Sequence, residues 1–341
     1  MKAKVVEITR FGGPEVLRLR EEEVRTPGPG EVGIQVKAAG LNFADIFERL
    51  GLYKASPKPP FAPGFEVSGV VDKVGEEVQS VQPGDRVIGV TRFGAYRTYL
   101  VLDQTLVRKM PPAFSFEEAA GFPTTYLTAY HGLVNLGHLQ PGETVLIHSA
   151  AGGVGTAAVQ IARIFNAQIF ATCGSEEKVK FLREQGVKHV INYRTQDFAK
   201  EVRKSARGVD LIMDSVGGST FRRGYKLLNP MGRHIIFGLS DLMPSGGKVN
   251  WPKLAIKYLR LPRFNPYHLM TDNKSIAGYN LVYLFEYLEL FNESFARLLG
   301  WAEEGKLKPI IGKVFPFEQA AEAQTYLQSR KSIGKVILRV E

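Results

Sequence analysis

Residues 147–162 read IHSAAGGVGTAAVQIA, an apolar run, a turn of small residues and then an apolar helical period. No other segment restricts the fold as much. TVLIH before the turn reads as a strand and VGTAAVQIARIF after it as a helix. QIFATC is the next strand, and SEEKVKFLREQG is a helix ending at Gly186. VINY, VDLIMD and HIIFG continue the strands, with helical segments between them. Strands without alternation, separated by helices, predict an α/β class with a doubly wound parallel sheet covered on both faces.

The turn fits A-x-G-x-x-G, with Ala150 in place of the first glycine and Gly152 and Gly155 in theirs. In a strand–turn–helix unit this is a dinucleotide fingerprint. Gly152 lets the backbone approach a pyrophosphate at the positive helix N-terminus, and Gly155 lets the helix lie close to the sheet. The expected cofactor-binding stretch is Ala150, Gly152, Gly153, Val154 and Gly155. An NAD site usually carries an acid at the end of the second strand, where this chain has Cys173, Gly174 and Ser175. Lys178 follows one helical turn later and Tyr193 closes the next strand. An ammonium and a hydroxyl suit a 2′-phosphate, so Ser175, Lys178 and Tyr193 are expected to favour NADPH. Glu176 and Glu177 would repel that phosphate if they faced it.

Before residue 110 the pattern is different. AKVVEIT, VGIQVKAAG, VSGVVDKVG, DRVIGV and YRTYLVL read as short strands between turn dipeptides. Ser115 and Glu118 form a capping-box signal that opens a helical reading over FEEAAGFPTTYLTAYHGLV. After Leu281 helical segments precede a final strand, GKVILRV, that is more like the opening region than the middle one. The mostly-β domain is therefore expected to be discontinuous. No apolar stretch reaches the ~20 residues of a membrane span, the N-terminus lacks a signal-peptide core, and the single Cys173 excludes an intrachain disulfide. A cytoplasmic location is expected. The net charge of +10 favours anionic partners, but its spread without a basic run makes nucleic acid unexpected.

Residues 63–69, PGFEVSG, pose a metal question, since Phe65 stands beside Glu66 where a ligating histidine would be expected. The β region, the glycine turn, INYR and the C-terminal GKVIL strand together resemble the medium-chain dehydrogenase/reductase superfamily over essentially the whole chain. Zinc alcohol dehydrogenases of that superfamily carry Gly-His-Glu, which here reads Gly64-Phe65-Glu66. The segment of the first zinc cysteine reads AAGLNFAD, with Asn42 near that position, and the cysteine-rich structural-zinc loop is absent. The resemblance implies no metal, with Glu66 kept as a structural acid holding the cleft. It also implies a GroES-like catalytic domain over 1–124, a Rossmann NADP-binding domain over 125–282, and a return to the catalytic domain over 283–341.

GLNFAD, GLY, AAGGVG, INYR and SRKSIGK are similar to the zinc-free quinone oxidoreductase branch. GYKLLNPMGR, LKPIIGKVFPFEQAAEA and KSIGKVIL are closer still to the vesicle amine transport protein group. Without zinc, alcohol oxidation loses its means of lowering the hydroxyl pKa, and none of the thirteen tyrosines has a lysine four residues later. What remains is hydride donation from NADPH to an electrophilic acceptor, a quinone or an α,β-unsaturated carbonyl. The resemblance implies that Asn42 and Tyr53 line the cleft, that Thr128 lies beside the nicotinamide with Phe237, Gly238 and Leu239, and that Arg330 serves the 2′-phosphate end. It also suggests a homodimer through the edge of the Rossmann sheet. Structural readings stand beside these: Asn42 as a turn cap, Tyr53 as core and Arg330 as a solvated charge. Residues 248–270 interleave Lys and Arg with Trp251, Tyr258, Phe264 and Tyr267. They read as a lid or dimer contact or, alternatively, as a weak contact with an acidic membrane surface. A rival function follows, a membrane- or lipid-associated binding protein retaining NADPH as a structural ligand.

Overall fold

The computed structural model describes residues 2–243 and 249–341. In chain order, β1 (Lys2–Ile8), β2 (Leu17–Glu23) and β3 (Glu31–Leu41) lead into α1 (Phe43–Arg49). β4 (Glu66–Val74), β5 (Arg86–Val90), β6 (Tyr99–Asp103) and β7 (Val107–Lys109) follow, then α2 (Phe116–Gly121) and α3 (Pro123–Tyr130). Alternation begins with β8 (Thr144–Ile147), α4 (Gly153–Ile164), β9 (Gln168–Cys173), α5 (Glu176–Glu184) and β10 (His189–Asn192). It continues through α6 (Phe198–Ser205), β11 (Val209–Asp214), α7 (Gly218–Tyr225) and β12 (Leu228–Ile236). The remaining elements are α8 (Trp251–Leu259), α9 (Pro266–Asp272), β13 (Ser275–Gly278), α10 (Leu288–Glu303), β14 (Ile311–Pro316), α11 (Ala320–Gln328) and β15 (Lys335–Arg339).

Two compact units emerge, one from residues 2–124 and 299–341, the other from 125–243 and 250–298. In the second unit every strand pair is parallel, in the order β10-β9-β8-β11-β12-β13. The physical cause is apolar side chains on both faces. β9 buries five consecutive residues after Gln168, and β11 buries all of VDLIMD except the partly covered Asp210. Leu146, Phe170, Ile191, Phe198, Val202, Ile212 and Leu228 form the core between sheet and helices. Read from β8 outward, this is the 3-2-1-4-5-6 order of a Rossmann sheet, whose direction of winding reverses between β8 and β11. Ligands of such sheets bind beyond the strand ends at that reversal, and the glycine turn begins there, directly after β8.

The first unit is mostly β, with the order β14-β15-β3-β4-β5-β7 and β6 paired to β3. The C-terminal β15 pairs antiparallel with β3, so residues 299–341 complete a sheet that begins at Glu31. The Ser115 capping box forms as expected, Ser115 N–H donating to the Glu118 carboxylate at 2.8 Å and Glu118 N–H to Ser115 Oγ at 3.2 Å. The helical reading over 116–134 is corrected in one respect. Pro123 has no N–H to continue the ladder, so α2 stops and α3 restarts at that proline, running on into a π-helical turn over His131–Leu136. A strand that the sequence reading did not mark, IGKVFP, forms β14, parallel to β15.

Candidate functional site

The glycine turn is built by close backbone contacts. Ser149 takes a left-handed φ of 55°, and Ala150 N–H donates to the Thr172 carbonyl at 3.0 Å, which ties the turn to β9. A Cβ on Gly155 would sit 2.4 Å from the Ser149 carbonyl oxygen and 2.5 Å from Ala150 Cα. Only glycine lets α4 approach the turn this closely. Gly152 is different: its Cβ would meet nothing nearer than the Ser149 oxygen at 3.4 Å. Its α-carbon faces open space at the N-cap of α4, whose first-turn N–H groups, on Gly153, Val154 and Gly155, lack intrahelical acceptors. An open approach to a positive helix end fits a pyrophosphate.

Beside it, the end of β9 gathers the residues expected at the ribose. Ser175 caps α5, its hydroxyl accepting Lys178 N–H at 3.3 Å. Tyr193 N–H donates to the Cys173 carbonyl at 3.0 Å, and the Tyr193 ring lies over Gly174, where a Cβ would be 2.5 Å from its hydroxyl. Burial lowers the pKa of the half-buried Lys178 ammonium, and the nearby Arg194 lowers it further, while the proximity of Cys173 and Glu177 opposes the shift. Arg194 is a second cation at this corner that the sequence reading passed over, although it directly follows Tyr193. Glu176 is drawn to Asn192, whose Nδ2 donates to it at 2.5 Å.

On the other side of the reversal, Asp214 ends β11 and organises the next turn. Its Oδ1 accepts the N–H groups of Val216 and Gly217 at 2.8 and 2.9 Å, and its Oδ2 meets His234 Nε2 at 3.0 Å. Phe237 N–H donates to the Asp214 carbonyl at 3.0 Å, Gly238 passes close to Ser215, and Leu239 packs over Gly217. The Phe237 ring stacks on Tyr279 at 6.1 Å. Tyr279 in turn donates its hydroxyl to the carbonyl of the buried Thr128 at 2.5 Å. Tyr279 thus joins Thr128 to the Phe237–Leu239 loop, and the sequence reading missed it. It also lines a cavity of about 440 Å³ with His131, Tyr283 and Tyr287.

The first unit holds the remaining candidates. Asn42 is the N-cap of α1, so the reading of it as a cap is correct for its backbone, its N–H donating to Asp45 Oδ2 at 2.8 Å. Its side chain has another task. Nδ2 donates to Glu66 Oε1 at 3.0 Å, and Oδ1 accepts from Lys335 Nζ at 2.7 Å. Lys335 also meets Glu66 Oε1 at 2.5 Å, while Glu66 Oε2 accepts Thr124 N–H at 2.7 Å. Lys335 is a buried cation that the sequence reading did not single out. Tyr53 is half-buried and stands edge-on to Phe65 at 6.3 Å, and Phe65 packs on Phe93 at 5.8 Å. Arg330 is exposed after α11 with a φ of 60°.

Behind Asn42 the Asp45 carboxyl is fully buried. Burial raises its pKa to about 7, against the lowering effect of the Asn42 N–H, the Tyr96 hydroxyl at 2.7 Å and Lys335, with Glu66 adding to the rise. Glu48, one helical turn along, is also raised by burial and by Asp45.

Two family models match the chain, "Alcohol dehydrogenase GroES-like domain" over residues 28–112 and "Zinc-binding dehydrogenase" over 185–338. The human protein "Synaptic vesicle membrane protein VAT-1 homolog" is 41% identical over 335 residues, 97% of this chain and 85% of that protein. The chain belongs to the medium-chain dehydrogenase/reductase superfamily. Among solved structures of the superfamily, Escherichia coli quinone oxidoreductase complexed with NADPH superposes with a TM-score of 0.85 at 30% identity, covering 98% of this chain and 99% of that one. CurK enoyl reductase gives 0.84 at 34%, covering 99% of each. The matched family's name implies zinc, but the residues present do not fit it. Among the described residues no three His, Cys, Asp or Glu side chains converge as ligands. Phe65 offers no donor atom, and Glu66 is already neutralised by an ammonium.

Two predictions follow from this geometry. Gly152→Ala should leave the melting temperature near wild type and weaken dinucleotide binding at least about tenfold, by blocking the approach to the helix end. Gly155→Ala should lower the melting temperature as well, because its Cβ collides with backbone. Fluorescence titration with NADPH beside a thermal melt reads both. The second concerns pH. A carboxyl whose pKa rises on folding stabilises the fold fully below its unfolded value and loses that contribution as pH climbs through its folded value. For Asp45 the window runs from 3.8 to about 7. Wild type should therefore lose stability relative to Asp45→Asn across it in urea melts, and a constant difference between the two would contradict the assignment.

Proposed function

We propose that this chain reduces quinones or α,β-unsaturated carbonyls with NADPH, by direct hydride transfer and without zinc. The observation that carries the reading is the buried cluster of Asn42, Glu66 and Lys335, which offers a hydrogen-bond donor where a metal site would need ligands. Oxidising an alcohol needs a group that takes up the hydroxyl proton, and this cluster is not built as one. Reducing a conjugated carbonyl needs only that charge arriving on oxygen be met by donors. Asn42 Nδ2 is such a donor, and the Tyr53 hydroxyl is the second candidate in the same unit. The names of the superposed proteins, a quinone oxidoreductase and an enoyl reductase, support this substrate class.

NADPH, when bound, supplies the hydride. Gly152, Gly153, Val154 and Gly155 would hold its pyrophosphate at the α4 N-terminus, with Ala150 shaping the turn. Lys178 and Arg194 would pair with the 2′-phosphate, Ser175 and Tyr193 would flank the adenosine, and Arg330 is the candidate from the other unit. Thr128 and the Phe237-Gly238-Leu239 loop, braced by Tyr279, would seat the nicotinamide. A homodimer through the edge of the Rossmann sheet and a cytoplasmic location belong to the same proposal.

One observation favours a second reading, membrane or lipid association with NADPH as a structural ligand. Neither α8 nor α9 buries a residue, and Trp251, Tyr258, Leu259, Tyr267 and Met270 are exposed near Lys253, Arg260 and Arg263. An aromatic and basic surface suits an acidic bilayer, and the name of the human relative includes a vesicle membrane.

Spectrophotometric loss of NADPH with 9,10-phenanthrenequinone and with an α,β-unsaturated ketone separates the two. Turnover with either acceptor supports the reductase. NADPH binding without turnover, together with sedimentation on phosphatidylserine vesicles, supports the second. For the cofactor, Lys178→Ala should raise the KM for NADPH about tenfold or more, as expected for a lost charge-assisted phosphate contact, and leave NADH almost unchanged. Equal effects on both would contradict the 2′-phosphate assignment.

A further inference from the structure

The side-chain amide of Asn42 has two ends, and its chemistry depends on which end faces which neighbour. An amide flipped by 180° would exchange a donor for an acceptor. Its two polar neighbours leave no such freedom. The Lys335 ammonium can only donate and the ionised Glu66 carboxylate can only accept. Oδ1 must therefore face Lys335, at 2.7 Å, and Nδ2 must face Glu66, at 3.0 Å. Glu66 takes one of the two Nδ2 hydrogens, and among the described residues no acceptor takes the second.

The register of the sheet explains how the three meet. Val336 stands opposite Leu41 in the β15–β3 pairing, so Lys335 falls beside Asn42 at the strand end. Val67 pairs with Ala39, which brings Glu66, at the start of β4, alongside as well. Glu66 is 0% exposed and Lys335 3%, whereas Asn42 keeps 9% of its surface open. Asn42 is thus the member of the cluster that reaches the surface, and the two charges stand behind it. Their proximity has an electronic consequence too. An ammonium on Oδ1 draws electron density from the amide and makes its remaining N–H a better donor.

We infer that Lys335, with Glu66, is a positioning residue that locks Asn42 in the one orientation that presents a polarised N–H to the carbonyl oxygen of the acceptor. The inference rests on the reductase reading above and extends it to two residues that touch neither cofactor nor acceptor. No proton moves through the pair. Lys335 and Glu66 keep their charges while the acceptor oxygen gains electron density and takes its proton from solvent.

The test is a mutant cycle measured as kcat and KM with 9,10-phenanthrenequinone and NADPH. Lys335→Met alone would strand a buried carboxylate and could unfold the unit, so the neutral pair Lys335→Met/Glu66→Gln is used in its place. Asn42→Ala should lower kcat about 10²-fold, the usual loss for one oxyanion donor. The neutral pair should lower kcat at least about tenfold, since its amide is free to flip, with the KM for NADPH unchanged. The triple variant should be no slower than Asn42→Ala, because Lys335 and Glu66 act only through that amide, and Lys335→Arg should retain most of the activity. A neutral pair with wild-type kcat, or a triple variant in which the two losses multiply, would overturn the inference while leaving the reductase reading intact. If wild type turns over no quinone or enone, that reading fails separately. The inference is then judged on the dissociation constant of the same quinone by tryptophan quenching: equal, non-multiplying losses in affinity support it, and no loss overturns it.

Discussion

A buried ion pair between Lys335 and Glu66 organises the mostly-β unit at the point where its chemistry is expected. Burying either charge alone would cost several kcal/mol. The pair is tolerated because both carboxylate oxygens and the ammonium are partnered: Glu66 Oε1 meets Lys335 and Asn42, Glu66 Oε2 takes the Thr124 N–H, and Lys335 reaches Asn42. The contact ties the last strand of the chain to residues 269 and 293 positions earlier. In that sense the discontinuity of the unit has a purpose. Without β15 the start of α1 would lose the cation that sets the orientation of its capping amide.

The Rossmann unit follows a different logic, in which backbone rather than side-chain charge makes the site. The reversal of winding between β8 and β11 opens a crevice, and each of the two turns beside it is held by buried hydrogen bonds. Ala150 to Thr172 fixes one, and the Asp214 carboxylate fixes the other. His148 supports the first turn from below, its Nδ1 at 3.0 Å from Thr172 Oγ1, and burial lowers its pKa to about 4, so it packs as a neutral ring. On the proposed reading, one unit would supply a phosphate cradle and the other a preset donor, a division of labour that would suit a hydride acceptor already activated by conjugation.

Sequence alone carried the α/β architecture far, because strands such as VDLIMD and QIFATC are apolar on both faces and separated by amphipathic helices. The glycine turn was readable for the same reason: its residues are adjacent, so the motif is local. What escaped was non-local or featureless. LRLREEE forms β2 with a mostly polar surface, and SIAG forms β13 in four residues without alternation. Tyr279 braces Thr128 from 151 positions away. Lys335 looks like any lysine before a strand until the register sets it against Asn42. Arg194 lay within reach, since a cation directly after Tyr193 at the ribose corner is a local signal.

On the proposed mechanism hydrogen-bond donors, not a Lewis acid, meet the charge that develops on the acceptor. Elemental analysis of the purified protein, paired with its NADPH-dependent quinone reduction before and after exhaustive treatment with a chelator, tests this most directly. The expected result is undiminished turnover with zinc far below one atom per chain. Stoichiometric zinc, with activity lost on its removal and restored on its return, would contradict it.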